Sequence, residues 1–197
     1  MITIATLYSN ELALYGENGN IKALIYALEK ENIKYKLIQV EKEDKLDFSK
    51  YNFVYLGSGR AKYLEEIKKR LLPYKDEILE YIENDNILLA TGNAISILDF
   101  LELYEVKLYE KRKVYDVDAT TSLCKGNIKG FQNTEYLIKT TKNIMFNINN
   151  GVGNNETMME GFQYKNLYAT SIIGPLLARN DNLNQYFIEI IKQKLKS

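Results

Sequence analysis

The residues most able to do chemistry in this chain sit in one stretch, Ile87-Leu88-Leu89-Ala90-Thr91-Gly92-Asn93-Ala94-Ile95-Ser96-Ile97-Leu98. An uncharged apolar run, a Thr-Gly-Asn corner and apolar residues at helical spacing predict a buried parallel strand, a sharp turn and a helix. At such corners acyl-transfer enzymes hold a nucleophile, with backbone N–H groups beside it to bind developing negative charge. Thr91 puts a hydroxyl there, a poor nucleophile without an adjacent base. A second loop, Gly57-Ser58-Gly59-Arg60, follows the apolar run 52–56. It either offers N–H groups to an anion or carbonyl, or is only a tight strand-to-helix turn. It is not a dinucleotide fingerprint, because Lys62 stands where the third glycine would fall. Gly92 and Asn93, opposite Gly57 to Arg60, can form a donor-rich pocket that holds a ligand without cleaving it, or simply preserve the fold.

Composition narrows the chemistry. The 197 residues contain no histidine, which excludes a histidine general base, a catalytic triad and a His-ligated metal site. The single cysteine, Cys124, excludes a thiolate metal site and an internal disulfide, and suits a reducing cytosol. Lys plus Arg and Asp plus Glu are 26 each, so there is no basic excess of the kind nucleic-acid binders carry. No apolar run approaches the roughly 18 residues of a membrane span. The apolar start, Met1 to Leu7, lacks a basic leader and reads as a strand rather than a signal peptide. The expectation is a cytoplasmic domain over 1–197 with no cofactor, metal, nucleic acid or membrane partner.

The elements that must position the corner follow in order. Ile2–Leu7 and Tyr35–Val40 read as strands, separated by the turn-rich Tyr15-Gly16-Glu17-Asn18-Gly19-Asn20 and a helix marked by Ile21, Leu24, Ile25 and Leu28. Residues 41–50 form a charged, solvated connector. Residues 52–56 are a third strand, 62–72 and 74–84 two helical segments around Pro73, and the Ile87 run a fourth strand. Strands alternating with helices predict an α/β fold of three layers, with a mostly parallel, flavodoxin- or Rossmann-like sheet. Ligands of such sheets lie beyond the strands' carboxyl ends, where both loops are. Residues 104–117, 120–124 and 136–148 alternate and read as shorter, partly antiparallel strands. A polar loop covers 149–155. Residues 161–175 hold a hairpin-like return and a buried strand ended by Gly174-Pro175, and Leu183, Tyr186, Phe187, Ile190, Ile191 and Leu195 mark a closing helix.

Several short segments, in this order and spacing, resemble one family. They are Tyr15-Gly16-Glu17-Asn18-Gly19-Asn20-Ile21, Gly57-Ser58-Gly59, Gly130-Phe131-Gln132-Asn133, Gly151-Val152-Gly153-Asn154-Asn155, Tyr164-Lys165-Asn166-Leu167 and Gly174-Pro175-Leu176-Leu177. The chain is similar to class I glutamine amidotransferase domains of the cobyric acid synthase type. The likeness is greatest to the glutaminase subunits of bacterial lipid II isoglutaminyl synthases. The resemblance implies a cysteine at the strand-to-helix corner, a histidine after a late strand and an oxyanion site. That site combines the N–H after the cysteine with one from the glycine loop. It also implies ammonia passed to a Mur-ligase-like synthetase partner, and glutamine or a related small molecule as ligand.

The chain departs from that pattern at both working positions. Thr91, followed by Gly92-Asn93, stands at the cysteine position, and Ile173 at the histidine position. Losing two groups that act as a unit removes nearly all of the rate, leaving on the order of 10³-fold over water from the oxyanion site. The expected function is therefore a non-hydrolytic binding or regulatory subunit, with Gly57, Ser58, Gly59, Arg60, Gly92, Asn93 and Asn133 as candidate ligand residues. One alternative is an active ammonia-supplying glutaminase in which Thr91 uses another base, with Glu160, Glu135 and Lys165 as candidates. Cys124 as a displaced nucleophile is disfavoured by its place before the turn Lys125-Gly126-Asn127. The other alternative is a nucleotide-binding doubly wound protein.

Overall fold

Period-two alternation along four short strands decides how the site is built, because it decides which side chains face which core. A computed structural model gives the structure and describes residues 1–196. In chain order it runs β1 (Ile2–Leu7), α1 (Asn18–Lys30), β2 (Tyr35–Val40), β3 (Phe53–Leu56), α2 (Ala61–Leu71), α3 (Lys75–Glu83) and β4 (Ile87–Thr91). The second half runs β5 (Val106–Thr120), β6 (Ile128–Ile138), β7 (Phe146–Asn150), β8 (Met159–Glu160), β9 (Phe162–Tyr164), β10 (Leu167–Thr170), α4 (Leu176–Arg179) and α5 (Asp181–Lys194).

The main sheet has the order β2-β1-β3-β4-β10-β9 and is parallel except for β9. Ile4, Phe53, Tyr55, Ile87, Leu89 and Tyr168 face one core, shared with Leu24 and Leu28 of α1 and Phe187 and Ile188 of α5. Ala5, Val54, Leu56, Leu88, Ala90 and Leu167 face the other, shared with Leu64 and Ile67 of α2 and Ile78 and Ile82 of α3. These are the three layers that the strand–helix alternation requires. A second, antiparallel sheet of order β6-β5-β7-β8 packs Val117, Ala119, Ile128, Phe146 and Ile148 into the α1 and α5 core.

Three local expectations change. The stretch after the corner is not an α-helix but two 3-10 segments, Gly92–Ser96 and Leu98–Leu101, ended by Glu102 in the left-handed region at φ 62°. Its apolar residues are buried on every side: Ala94, Ile95, Ile97, Leu98 and Leu101 are all at most 2% exposed. Helical spacing in such a short, wholly buried run does not fix the helix type. Residues 121–126 are turn rather than strand; Thr121 Oγ1 accepts from the Leu123 N–H at 3.2 Å and donates to the Met145 carbonyl at 2.6 Å, ending β5. Residues 136–148 are split, because β6 stops at Ile138 and the chain loops to Phe146.

Candidate functional site

At the carboxyl end of β4 the backbone settles which residue makes the corner. Thr91 is extended, at φ −121° and ψ 152°, and pairs in register with Thr170 of β10. Gly92 is the residue in the left-handed region, at φ 62°. Sequence places Thr91 at the corner; in the structure it is the last residue of the strand, and the turn lies one residue later. Alternation then sends the Thr91 side chain to the α1 face, beside Tyr55.

There it is fully buried, at 0% exposure, in a polar knot. Thr91 Oγ1 donates to Glu17 Oε2 and lies 2.8 Å from the Tyr55 hydroxyl. The Tyr55 hydroxyl donates to Glu17 Oε2 at 2.8 Å and accepts from Asn20 Nδ2 at 2.7 Å. Asn20 Oδ1 in turn accepts from the Leu177 N–H at 2.7 Å, tying α1 to α4. Burial pushes the Glu17 carboxyl above its ordinary range, against hydrogen bonds from Thr91, Tyr55 and the Ser58 backbone. Burial likewise holds the Tyr55 phenol well above the usual range. Nothing in the turn-rich sequence Tyr15 to Asn20, whose last three residues open α1, signals a buried carboxylate, and neither Glu17 nor Tyr55 stands out in the sequence as a site residue. Thr91→Val removes one of the donors to Glu17 while keeping shape. It is expected to cost about 1–2 kcal/mol in urea unfolding; no loss would mean that the hydroxyl is not part of the knot.

The corner itself has no side chain and little room for one. A Cβ placed on Gly92 would lie 2.6 Å from Ser58 Oγ and 2.7 Å from Ile173 Cγ2. Positions 92, 58 and 173 therefore converge on one point. Ile173 is held there by paired backbone bonds to Phe131, at 2.8 and 3.0 Å, and is 1% exposed. The glycine loop approaches its own chain: a Cβ on Gly57 would clash with the Leu12 carbonyl, and one on Gly59 would lie 2.8 Å from the Glu11 carbonyl. These glycines are needed for packing alone, whatever else the loop does.

Just outside, Gly59, Arg60, Asn93 and Asn133 line a cavity of about 430 Å³ together with Tyr15, Arg112, Glu135 and Tyr136. Arg112, a residue sequence did not single out, donates to Asn133 Oδ1 at 3.1 Å and pairs with Glu135 at 3.2 Å. Of the candidate ligand residues, Gly59, Arg60, Asn93 and Asn133 line this cavity, while Gly57, Ser58 and Gly92 are buried and do not. A larger groove of about 1230 Å³, between residues 99–108 and Lys139-Thr140, is lined by none of them.

The alternative bases do not reach Thr91. Glu160 is bonded to Thr170 and Ser171, Glu135 to Arg112, and Lys165 to Glu83. Cys124 lies in the turn after β5, with its thiol pushed up by burial. Among the described residues no group of three or more His, Cys, Asp or Glu could hold a metal, and no helix is long and apolar enough to cross a membrane.

The fold is that of class I glutamine amidotransferases. A glutamine amidotransferase from Thermotoga maritima superposes with a TM-score of 0.59 at 15% identity, over 99% of this chain and 84% of that one. No family model matches the chain. The GatD subunit of the glutamine-hydrolysing lipid II isoglutaminyl synthase of Streptococcus pneumoniae is 30% identical over 203 residues, spanning 92% of this chain and 77% of that protein. The Staphylococcus aureus GatD subunit is 28% identical over 209 residues, spanning 95% and 83%. At that identity and coverage the chain belongs to the GatD family.

Proposed function

We propose that this chain is a GatD-family subunit that does not hydrolyse glutamine. In this reading residues 1–197 act as one amidotransferase-like domain of the cobyric acid synthase type. The domain serves as a binding or regulatory subunit of a cytoplasmic, Mur-ligase-like amidating synthetase.

One observation carries the reading: the strand-to-turn corner is Gly92, whose missing side chain would point at Ile173 and Ser58. A nucleophile there needs a side chain, and its proton needs an acceptor; glycine and isoleucine supply neither. The cysteine position is therefore assigned to Gly92 rather than Thr91, and the histidine position stays at Ile173. The cavity walled by Arg60, Arg112, Asn93 and Asn133 suits the carboxylate of a glutamine-like amino acid, since planar guanidinium groups favour that partner.

The contact between Thr91 and Glu17 gives the rival reading, a threonine amidase, its only structural support. It would need Thr91 to meet substrate, and Thr91 is fully buried with its hydroxyl already engaged. Ammonia release from glutamine, measured for the chain alone and with a Mur-ligase-like synthetase, is expected to stay at background in both. Co-purification with that synthetase is expected to succeed. Ammonia release abolished by Thr91→Ala would establish the rival; failure to associate would remove the subunit role.

A further inference from the structure

At the corner the N–H groups of Ser58, Gly59 and Asn93 and the Ser58 hydroxyl are already in use. The Gly59 N–H donates to Asn93 Oδ1 at 2.8 Å, and the Ser58 hydroxyl donates to the same oxygen at 3.0 Å. Asn93 Nδ2 donates back to the Gly59 carbonyl at 2.6 Å, and the Asn93 N–H donates to Ser58 Oγ at 3.4 Å. The Ser58 N–H is turned to Glu17 Oε2 at 3.4 Å. A carboxamide therefore already sits on the glycine-loop amide, its oxygen accepting two hydrogen bonds and its nitrogen giving one. A glutamine side chain docked at this corner would present the same group to the same donors.

We propose that the Asn93 carboxamide, latched by Ser58, is a built-in occupant of the corner's N–H site, so that the wild-type chain excludes side-chain amides of small ligands from it. Residue type supports this beyond proximity. Asparagine is the short side chain that carries both an amide acceptor and an amide donor, and both are satisfied by one glycine backbone. The Ser58 side chain fills the space where a Cβ at position 92 would lie, so the latch also occupies the corner that a side chain there would need. An incoming amide must break the three hydrogen bonds of the Asn93 carboxamide to make at most the same number, which leaves it no advantage. The outer cavity, with Arg60 and Arg112, stays open to the amino-acid end of a ligand, but the amide end is not read. This rests on the assignment of Gly92 to the corner.

The test compares L-glutamine with L-norvaline, which lacks the carboxamide, by titration calorimetry, with ammonia followed in the same samples. The wild-type protein is expected to show no preference between the two, whether both bind weakly or neither does. The Ser58→Gly, Asn93→Gly double variant is expected to favour glutamine by about tenfold or more, the worth of one to two hydrogen bonds regained. A tenfold glutamine preference in wild type, or none in the folded double variant, overturns the latch. Ammonia production by wild type would instead overturn the silent-subunit reading, so the two failures are distinguishable. Should the double variant not fold, the Gly59 amide resonance of wild type decides. Its shift is expected to be the same in millimolar glutamine and norvaline, and a displacement by glutamine alone overturns the proposal.

Discussion

Glutamine hydrolysis is expected to return when four positions are changed together: Ser58→Gly, Gly92→Cys, Asn93→Gly and Ile173→His. The argument is geometric. A side chain at 92 points at position 173, where its Cβ now meets Ile173 Cγ2 at 2.7 Å, so a thiol at 92 and an imidazole at 173 would be neighbours. Ser58 has to shrink because its hydroxyl oxygen lies 2.6 Å from that Cβ, closer than side chains tolerate. Asn93 has to go because its carboxamide occupies the Gly59 N–H that would otherwise hold the oxyanion. A thiolate beside an imidazolium and a restored N–H site each contribute several powers of ten, though not additively. A gain of at least about 10²-fold in ammonia release over wild type is the expected reading in a coupled assay. The control is the same set with Thr91→Cys in place of Gly92→Cys. A cysteine at 91 would face Glu17 and Tyr55 inside the α1 core, and is expected to give nothing. Activity in the control and not in the first variant would move the corner back to Thr91 and sink the assignment.

That one-residue difference shows what the sequence could and could not carry. The strand Ile87–Thr91 and its neighbours were legible because uncharged apolar runs bounded by turn residues have few other homes in a chain of this composition. The convergence of the glycine loop, the Gly-Pro segment and the corner was legible through resemblance, and the structure does bring Ser58, Gly92 and Ile173 to one point. The register of the turn was not. Thr and Gly in succession leave open which of them ends the strand. The answer comes from pairing with β10, which keeps Thr91 extended, and from φ, which only Gly92 takes positive. Glu17 was hidden for a different reason. A carboxylate in a polar loop is normally solvated, and only three-dimensional contact with Tyr55 and Thr91 reveals that this one is buried. Arg112 was hidden because it stands among other exposed charged residues of β5, while its partner Asn133 lies on β6, 21 residues on.

Stability is expected to fall as pH rises from about 5 to 8, and Glu160 is the group expected to cause most of it. Its carboxyl is 1% exposed on β8, at the end of β10. One oxygen accepts from Thr170 Oγ1 at 2.7 Å, and the other from the Ser171 N–H at 2.8 Å and Ser171 Oγ at 2.9 Å. Those bonds favour the carboxylate, but burial outweighs them, no cation is among the causes, and the carboxyl is pushed up to about 7. The sign follows from linkage. In the unfolded chain a glutamate loses its proton near pH 4.5, whereas the folded protein keeps this one until about 7. Below the lower value both states are protonated and the contribution is complete. Between the two the unfolded state is increasingly favoured, by roughly 3 kcal/mol in all, and above about 7 the loss is finished. Glu160→Gln keeps the acceptor for the Ser171 N–H and removes the titration. Its melting temperature relative to wild type is expected to rise with pH and level off above about 7, by several degrees for a domain of this size. A difference that stays constant from pH 4.5 to 8 would mean that Glu160 does not titrate in this range. The raised Glu17 carboxyl acts with the same sign, so the single variant should shallow the wild-type slope without abolishing it. Adding Glu17→Gln, which keeps an acceptor for Tyr55 and Thr91, is expected to shallow it further. Glu17 is bonded to Tyr55, Ser58 and Thr91, and Glu160 to Thr170 and Ser171 at the end of β10, so the two variants remove titrations held by separate sets of hydrogen bonds.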